Sequence, residues 1–146
     1  MRLSKRTEYG LQAVVRLAQL QPAHYVQSRE LAEQERIPSK FLEAILLALR
    51  RGGFLESKVG SGGGYRLSRE SRDISVGDLI RRLEGRLTVT EKQEHPSTDV
   101  GGKIAVRLLN DKLTAAMNVV LDQMTLEQLV DHVNRAAAGQ QAMYYI

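Results

Sequence analysis

The chain has 146 residues, is 42% hydrophobic, and contains two Phe, five Tyr, no Trp and no Cys, which suits one compact domain, or a small domain with an oligomerising extension, packed by aliphatic side chains. The missing cysteine excludes disulfides, thiolate zinc sites, Cys-ligated iron–sulfur clusters and thiol redox chemistry. The net charge of +4 is uneven: residues 1–69 carry 12 Lys/Arg against 6 Asp/Glu and residues 70–146 carry 9 against 11, so a polyanion partner fits the front half. No apolar run reaches the roughly 18 residues that span a bilayer, and the polar start MRLSKRTEY has no signal-peptide core, so a cytoplasmic protein is expected.

Residues 3–20 are expected to form the first helix, with Leu3, Leu11, Val14, Val15, Ala18 and Leu20 as core candidates and Pro22 as its stop. Tyr25-Val26 reads as a short extended link. Ser28 is placed to N-cap a second helix through Glu35, with Leu31 and Ala32 facing inward. A turn around Ile37 and Pro38 leads into a third helix over 38–51, whose Leu42, Ile45, Leu46 and Leu49 have the spacing of a buried face. Gly52-Gly53 ends it. Phe54–Val59 and Gly64–Leu67 read as two strands around Gly60-Ser61-Gly62-Gly63. Two short helices joined tightly, the second followed by a hairpin, have the geometry of a winged helix-turn-helix.

A polar break at Ser71–Asp73 precedes Ser75-Val76-Gly77-Asp78, a capping box that opens a helix to about Glu84, stopped by Gly85. Residues 86–99 read as a loop. Val100–Gln123 carries Ile104, Leu108, Leu109, Leu113, Ala116, Met117, Val120 and Leu121 at helical spacing, in a helix about 36 Å long. So small a domain cannot cover it, and its stripe most economically meets a copy of itself. Thr125 to Gln128 is a second capping box, for a helix to about Ala138 ended by Gly139. The expected fold is mainly α, with a winged helix-turn-helix over 1–85, a loop over 86–99, and a dimerisation helix, C-terminal helix and tail over 100–146.

The chemistry expected of this plan is DNA binding. Ser39, Lys40, Phe41 and Glu43 lie in the first turns of the recognition helix. Glu43 could accept from a cytosine amino group or, as the plainer alternative, form a surface ion pair with Lys40 or a neighbouring turn. Arg2, Lys5, Arg6 and Tyr9 are candidates for backbone contacts that position without reading sequence, Tyr9 being equally suited to the core. Ser28 joins this set, with Lys58, Ser61 and Gly62 from the hairpin, whose glycines allow close approach and whose charge comes from Lys58, Arg66 and Arg69. The glycine run is not a nucleotide loop: it lacks the sixth-position glycine of G-x-G-x-x-G, has no G-K-[ST], and opens no helix. His24, His95 and His132 are scattered without metal spacing, and no serine sits in a nucleophile elbow. An enzyme is therefore not expected, nor is any cofactor.

The order MRLSKRTEYGLQAV, FLEAILLALRRGGFL, GSGGGYRL and ISVGDLIRRLEG resembles the Rrf2 family of bacterial transcription regulators, from Met1 to about Leu129. That resemblance implies a homodimer with a winged helix-turn-helix, a long dimerisation helix and a double-stranded operator as partner. Many members hold an iron–sulfur cluster on three cysteines in the loop matching residues 86–101. Here that loop reads RLTVTEKQEHPSTDVG, so cluster sensing does not carry over. Leu83-Glu84-Gly85 and the ending Met143-Tyr144-Tyr145-Ile146 resemble the cluster-free branch of cysteine-metabolism repressors. For that branch the implied partner of Tyr144, Tyr145 and Ile146 is O-acetylserine thiol-lyase (cysteine synthase), by capture of a terminal carboxylate and an apolar anchor; the alternative is that these residues pack on the dimer. The family usually has an Arg directly before the wing glycine. This chain has Val59 there, and strand alternation points Lys58 to the other face, so either operator preference differs or the wing relies on backbone contacts. Other readings left open are a small-molecule sensor between the 76–84 helix and the dimerisation helix, and an interaction module without DNA binding.

Overall fold

A computed structural model of the chain describes residues 2–20, 24–89 and 100–144. Six helices and one hairpin follow in order among them: α1 (Lys5–Gln19), α2 (Ser28–Glu35), α3 (Ser39–Arg51), β1 (Leu55–Lys58), β2 (Gly64–Leu67), α4 (Val76–Glu84), α5 (Gly101–Gln123) and α6 (Leu126–Tyr144). The fold is mainly helical with a two-stranded antiparallel sheet, as expected for a winged helix-turn-helix.

Local chemistry explains most boundaries. Ser4 caps α1 by accepting from the Thr7 amide, so the helix starts two residues later than expected. Leu3 lies outside it and still packs against an apolar cluster. Pro22 falls outside the described residues. The expected cap at Ser28 is corrected: Ser28 is the first helical residue, and Gln27 occupies the cap position without a side-chain bond. Arg36, at φ 55°, turns the chain in the left-handed region between α2 and α3. The Gly52-Gly53 stop holds, with Gly53 at φ 82°. Ser71–Asp73 is one turn of 3-10 helix rather than a plain break.

Both capping boxes form. The Ser75 hydroxyl accepts from the Asp78 amide, while Thr125 and Gln128 exchange bonds of 3.0 and 3.1 Å. They also meet each other, because the Val76 amide donates to Met124 (2.9 Å) and the Leu126 amide to Ile74 (2.8 Å). This short bridge stitches the starts of α4 and α6 together. The expected stop at Gly139 is wrong: α6 continues to Tyr144. A single glycine costs a helix only about 1 kcal/mol relative to alanine, and the following Gln-Gln-Ala-Met are good helix formers.

Two apolar clusters share α4. Leu79 and Leu83 enter the main core with Ala13, Val14, Leu17, Leu31, Leu42, Ile45, Leu46, Leu49, Ile74 and Leu126. Val76 and Ile80 face a second cluster with Leu87, Leu3, Leu11, Met117, Leu121, Met124 and Leu129. All four expected core positions of α3 are buried. By contrast α5 has no fully buried residue. Leu109 is 58% and Val120 59% exposed within one chain. Val106, Leu109, Leu113, Ala116 and Val120, all exposed, alternate spacings of three and four, the a/d pattern of a coiled-coil seam.

The front of α1 is held by one carboxylate. Glu84 Oε2 accepts from the fully buried Thr7 hydroxyl, from Ser4 Oγ (2.8 Å) and from the Ser4 amide (3.1 Å). The Thr7 bond is the main reason its carboxyl is held below the usual range, with Ser4 adding to it against a desolvation penalty. A lowered folded pKa contributes stability above the unfolded value, and that contribution disappears as pH falls through the folded one. Glu84→Gln should therefore cost about 1–2 kcal/mol near neutrality, and the two denaturation midpoints should converge in acid. A gap constant from neutral to acidic pH contradicts this role.

Candidate nucleic-acid interface

The start of α3 is presented to solvent by its own amphipathicity. With Leu42, Ile45, Leu46 and Leu49 buried, Ser39, Lys40, Phe41 and Glu43 are left exposed. Among the described residues Lys40 and Glu43 form no ion pair, so the alternative in which they neutralise each other is absent. Phe41 is the bridge to α1. Its ring meets Tyr9 edge-on, centroids 5.7 Å apart at 85°, and Lys5 Nζ lies 5.8 Å from the Tyr9 ring. Tyr9 is half-buried against the core, the alternative expected for it, and its ring links the two helix starts.

Exposed cations gather along this edge. Arg2 and Arg6 are exposed and make no ion pair among the described residues, whereas Lys5 pairs with Glu8 at 3.1 Å. Lys5 and Tyr9 lie one turn apart at the start of α1 and reach the α3 start through Phe41, with Arg2 before the helix and Arg6 in its first turn. Ser28 is half-buried at the start of α2, two residues after a bridge to the hairpin.

That bridge mounts the wing. Val26 and Tyr65 exchange two backbone bonds of 2.8 Å, an isolated antiparallel bridge on the free edge of β2. The Val26 carbonyl would lie 2.2 Å from any Cβ on Gly64, so glycine is required there. Pairing runs Leu55↔Leu67 to Lys58↔Gly64, with Val59–Gly63 as the loop. The Gly63 amide donates to the Gly60 carbonyl (3.0 Å), and Gly62 at φ 72° supplies the positive φ that a type II turn needs at its third residue.

The wing's charge differs from expectation. Arg66 is engaged with its cross-strand partner Glu56 and lies 4.3 Å from the Tyr25 ring centroid; that hydrogen bond is the first cause holding its guanidinium protonated beyond the ordinary range. Arg69 sits over Phe54 at 5.5 Å. Both belong to the base of the wing. Lys58, Ser61 and Gly62 are exposed at or beside its tip, as is Val59.

Sequence reasoning missed two positioning residues, the adjacent Arg81 and Arg82 at the end of α4. Arg82 Nε donates to the Ala48 carbonyl (2.8 Å), fixing the end of α3. Arg81 reaches the other way, to Asp122 (2.6 Å) and Asn118 (2.7 Å) of α5. The Asp122 bond is the leading cause of its raised pKa. The available signal was weak, since two basic residues in a last helical turn also satisfy the helix dipole alone. His24 and His132 are exposed, and His95 lies outside the described residues. No group of three or more His, Asp or Glu suited to a metal occurs among the described residues, nor is any described helix long and apolar enough to cross a membrane.

Against known proteins, the Rrf2 model, described as an iron-dependent transcriptional regulator, matches residues 3–132. The HTH-type transcriptional regulator CymR of Bacillus subtilis is 31% identical over 144 residues, covering 99% of this chain and 97% of its own. Protein rrf2 of Nitratidesulfovibrio vulgaris is 29% identical over 131 residues, covering 89% and 87%. The solved structure of CymR, the global cysteine regulator of B. subtilis, superposes with a TM-score of 0.77 at 29% identity, over 90% of this chain and 98% of that one. T. potens IscR gives 0.74 at 33% identity, over 93% and 90%.

Gly63 gives the wing a direct test. An added Cβ would lie 2.2 Å from the Lys58 carbonyl and 2.9 Å from that of Gly60, both backbone atoms. Gly63→Ala should cost about 1–3 kcal/mol and speed amide exchange across β1 and β2 while helix content stays constant. Unchanged exchange would mean the loop is not built as described.

Proposed function

This chain belongs to the Rrf2 family of transcriptional regulators, and from that premise we propose that it is a homodimeric, sequence-specific repressor of a pseudo-palindromic operator. In this reading residues 1–85 hold DNA and residues 100–146 join the two copies. The α3 helix of each copy enters a major groove, with half-sites about one helical turn apart.

The observation that carries the reading is the shared face at the starts of α1 and α3. Lys5, Tyr9 and Phe41 are contiguous there, beside exposed Ser39, Lys40 and Glu43 and the unpaired Arg2 and Arg6. Charge and hydrogen-bonding groups left without protein partners on a helix end suit phosphates and base edges. Homodimerisation is supported by the exposed seam Val106–Leu109–Leu113–Ala116–Val120, since so long an apolar stripe on a helix is uncommon on the surface of a monomer.

A thiolate-held iron–sulfur cluster does not fit. The chain has no cysteine to ligate it, and nothing in the proposed cycle depends on iron. The finer assignment, to sulfur and cysteine metabolism, is supported by likeness to CymR across nearly the whole chain. The tail partner expected with it, O-acetylserine thiol-lyase, rests on Tyr144, Tyr145 and Ile146, whose side chains lie outside the described residues. If that partner is right, deleting Tyr145 and Ile146 abolishes co-purification with the synthase; unchanged co-purification removes it.

DNA binding should be steeply salt-dependent. By fluorescence anisotropy on an operator duplex, Lys40→Ala and Lys58→Ala should each weaken affinity and reduce the log–log salt slope by about 1 for every phosphate no longer neutralised. If both variants keep the wild-type affinity and slope, the proposed face is not the one that meets DNA.

A further inference from the structure

Apart from α5 with its cap residue Val100 and α6, the described residues expose only two large apolar side chains, Phe41 and Val59. Phe41 is explained by its contact with Tyr9. Val59 touches nothing comparable, being 96% exposed at the tip of the wing. A lone exposed valine is ordinary on a protein surface. Its place is not. It is followed by Gly60-Ser61-Gly62-Gly63, and a Cβ at Gly60 or Gly62 would meet open space. Within the Val59–Gly63 loop Ser61 is therefore the only other residue with a side chain beyond hydrogen, and Val59 is the bulkiest apolar group the wing can push forward.

The tip is also poor in charge. Arg66 and Arg69 are engaged at its base, which leaves Lys58 as its cation among the described residues. A valine has no hydrogen bond or charge to offer a phosphate, so its contribution must come from apolar contact and shape. A hairpin with strands about 4.8 Å apart and a tip of glycine backbone is thin enough to approach a minor groove roughly 6 Å wide. Apolar side chains entering that groove are established as wedges at base steps.

Resting on the DNA-binding reading above, we propose that Val59 is a specificity-determining residue that packs its methyl groups into the minor groove flanking each half-site and selects A·T pairs there. The exclusion is steric: guanine places its exocyclic N2 amino group on the floor of the minor groove, whereas A·T pairs leave the floor open. The contact carries no charge, so it adds affinity without adding salt dependence.

The test compares wild type, Val59→Gly, Val59→Thr and Lys40→Ala on operator duplexes whose wing-facing pairs are A·T, G·C or inosine·C. Inosine keeps guanine's major-groove edge and lacks only the N2 amino group. Wild type should lose roughly tenfold on G·C and recover on inosine·C. Val59→Gly should bind the A·T duplex about five- to tenfold more weakly with an unchanged salt slope, and no longer distinguish the three duplexes. Val59→Thr, which keeps a branched side chain and so the local backbone preference, should fall between. Val59 is almost fully exposed, so circular dichroism of these variants should match wild type. If wild type treats G·C and inosine·C alike, or if Val59→Gly binds as wild type while Lys40→Ala binds weakly, the wing proposal fails and the DNA-binding reading stands. If neither wild type nor any variant binds duplex with salt dependence, the broader reading fails as well.

Discussion

The structure depends on one short helix being apolar on two sides. Leu79 and Leu83 of α4 close the core beneath α1 and α3, while Val76 and Ile80 close the cluster against α5 and α6. Burying four such side chains contributes several kcal/mol, comparable with the net stability of a small domain. Its last turn then adds direction. Arg82 reaches the end of α3 and Arg81 reaches Asp122 and Asn118 of α5. Gly77 completes the fit, since a Cβ there would lie 2.2 Å from the Asp122 carboxylate. The α3 helix and the exposed stripe of α5 are therefore fixed in relation to each other through α4, as the proposed two-fold reader of DNA requires.

The same division explains where exposure is tolerated. The front half leaves polar and cationic groups without partners at the starts of α1 and α3, a surface that costs little in water and gains on meeting a polyanion. The back half leaves Leu109, Leu113 and Val120 in solvent, a surface that gains on meeting another apolar stripe. In the proposed homodimer each copy supplies half of the seam, and the seam sets the spacing of two basic faces.

Helices and strands were largely legible from pattern alone, because their signals are local. The α3 face, both capping boxes, and β2 at Gly64–Leu67 follow from residues within a few positions of one another. What was not legible depended on distant partners. The wing arginines Arg66 and Arg69 read as free charge until Glu56, Tyr25 and Phe54 were placed beside them. Arg81 and Arg82 carry no local signal beyond two charges in a last helical turn. The bond from Thr7 to Glu84 joins residues 77 positions apart and leaves no trace in periodicity. Gly139 misled because a glycine ends a helix only where the chain also has somewhere else to go. Within the candidate site, residue types and spacing pointed to α3, while the joining of Tyr9 to Phe41 needed the packing of α1 across it.

The central claim is that two copies, joined along α5, place two α3 helices on one face of DNA. Hydroxyl-radical footprinting on an operator selected from random duplex tests it most directly, with wild type and Leu113→Asp side by side. The account predicts two protected patches about 10 base pairs apart from centre to centre, lost together in the variant, which sediments as a monomer that is still folded. A single protected patch, or a monomeric variant that protects both patches with wild-type affinity, would contradict it.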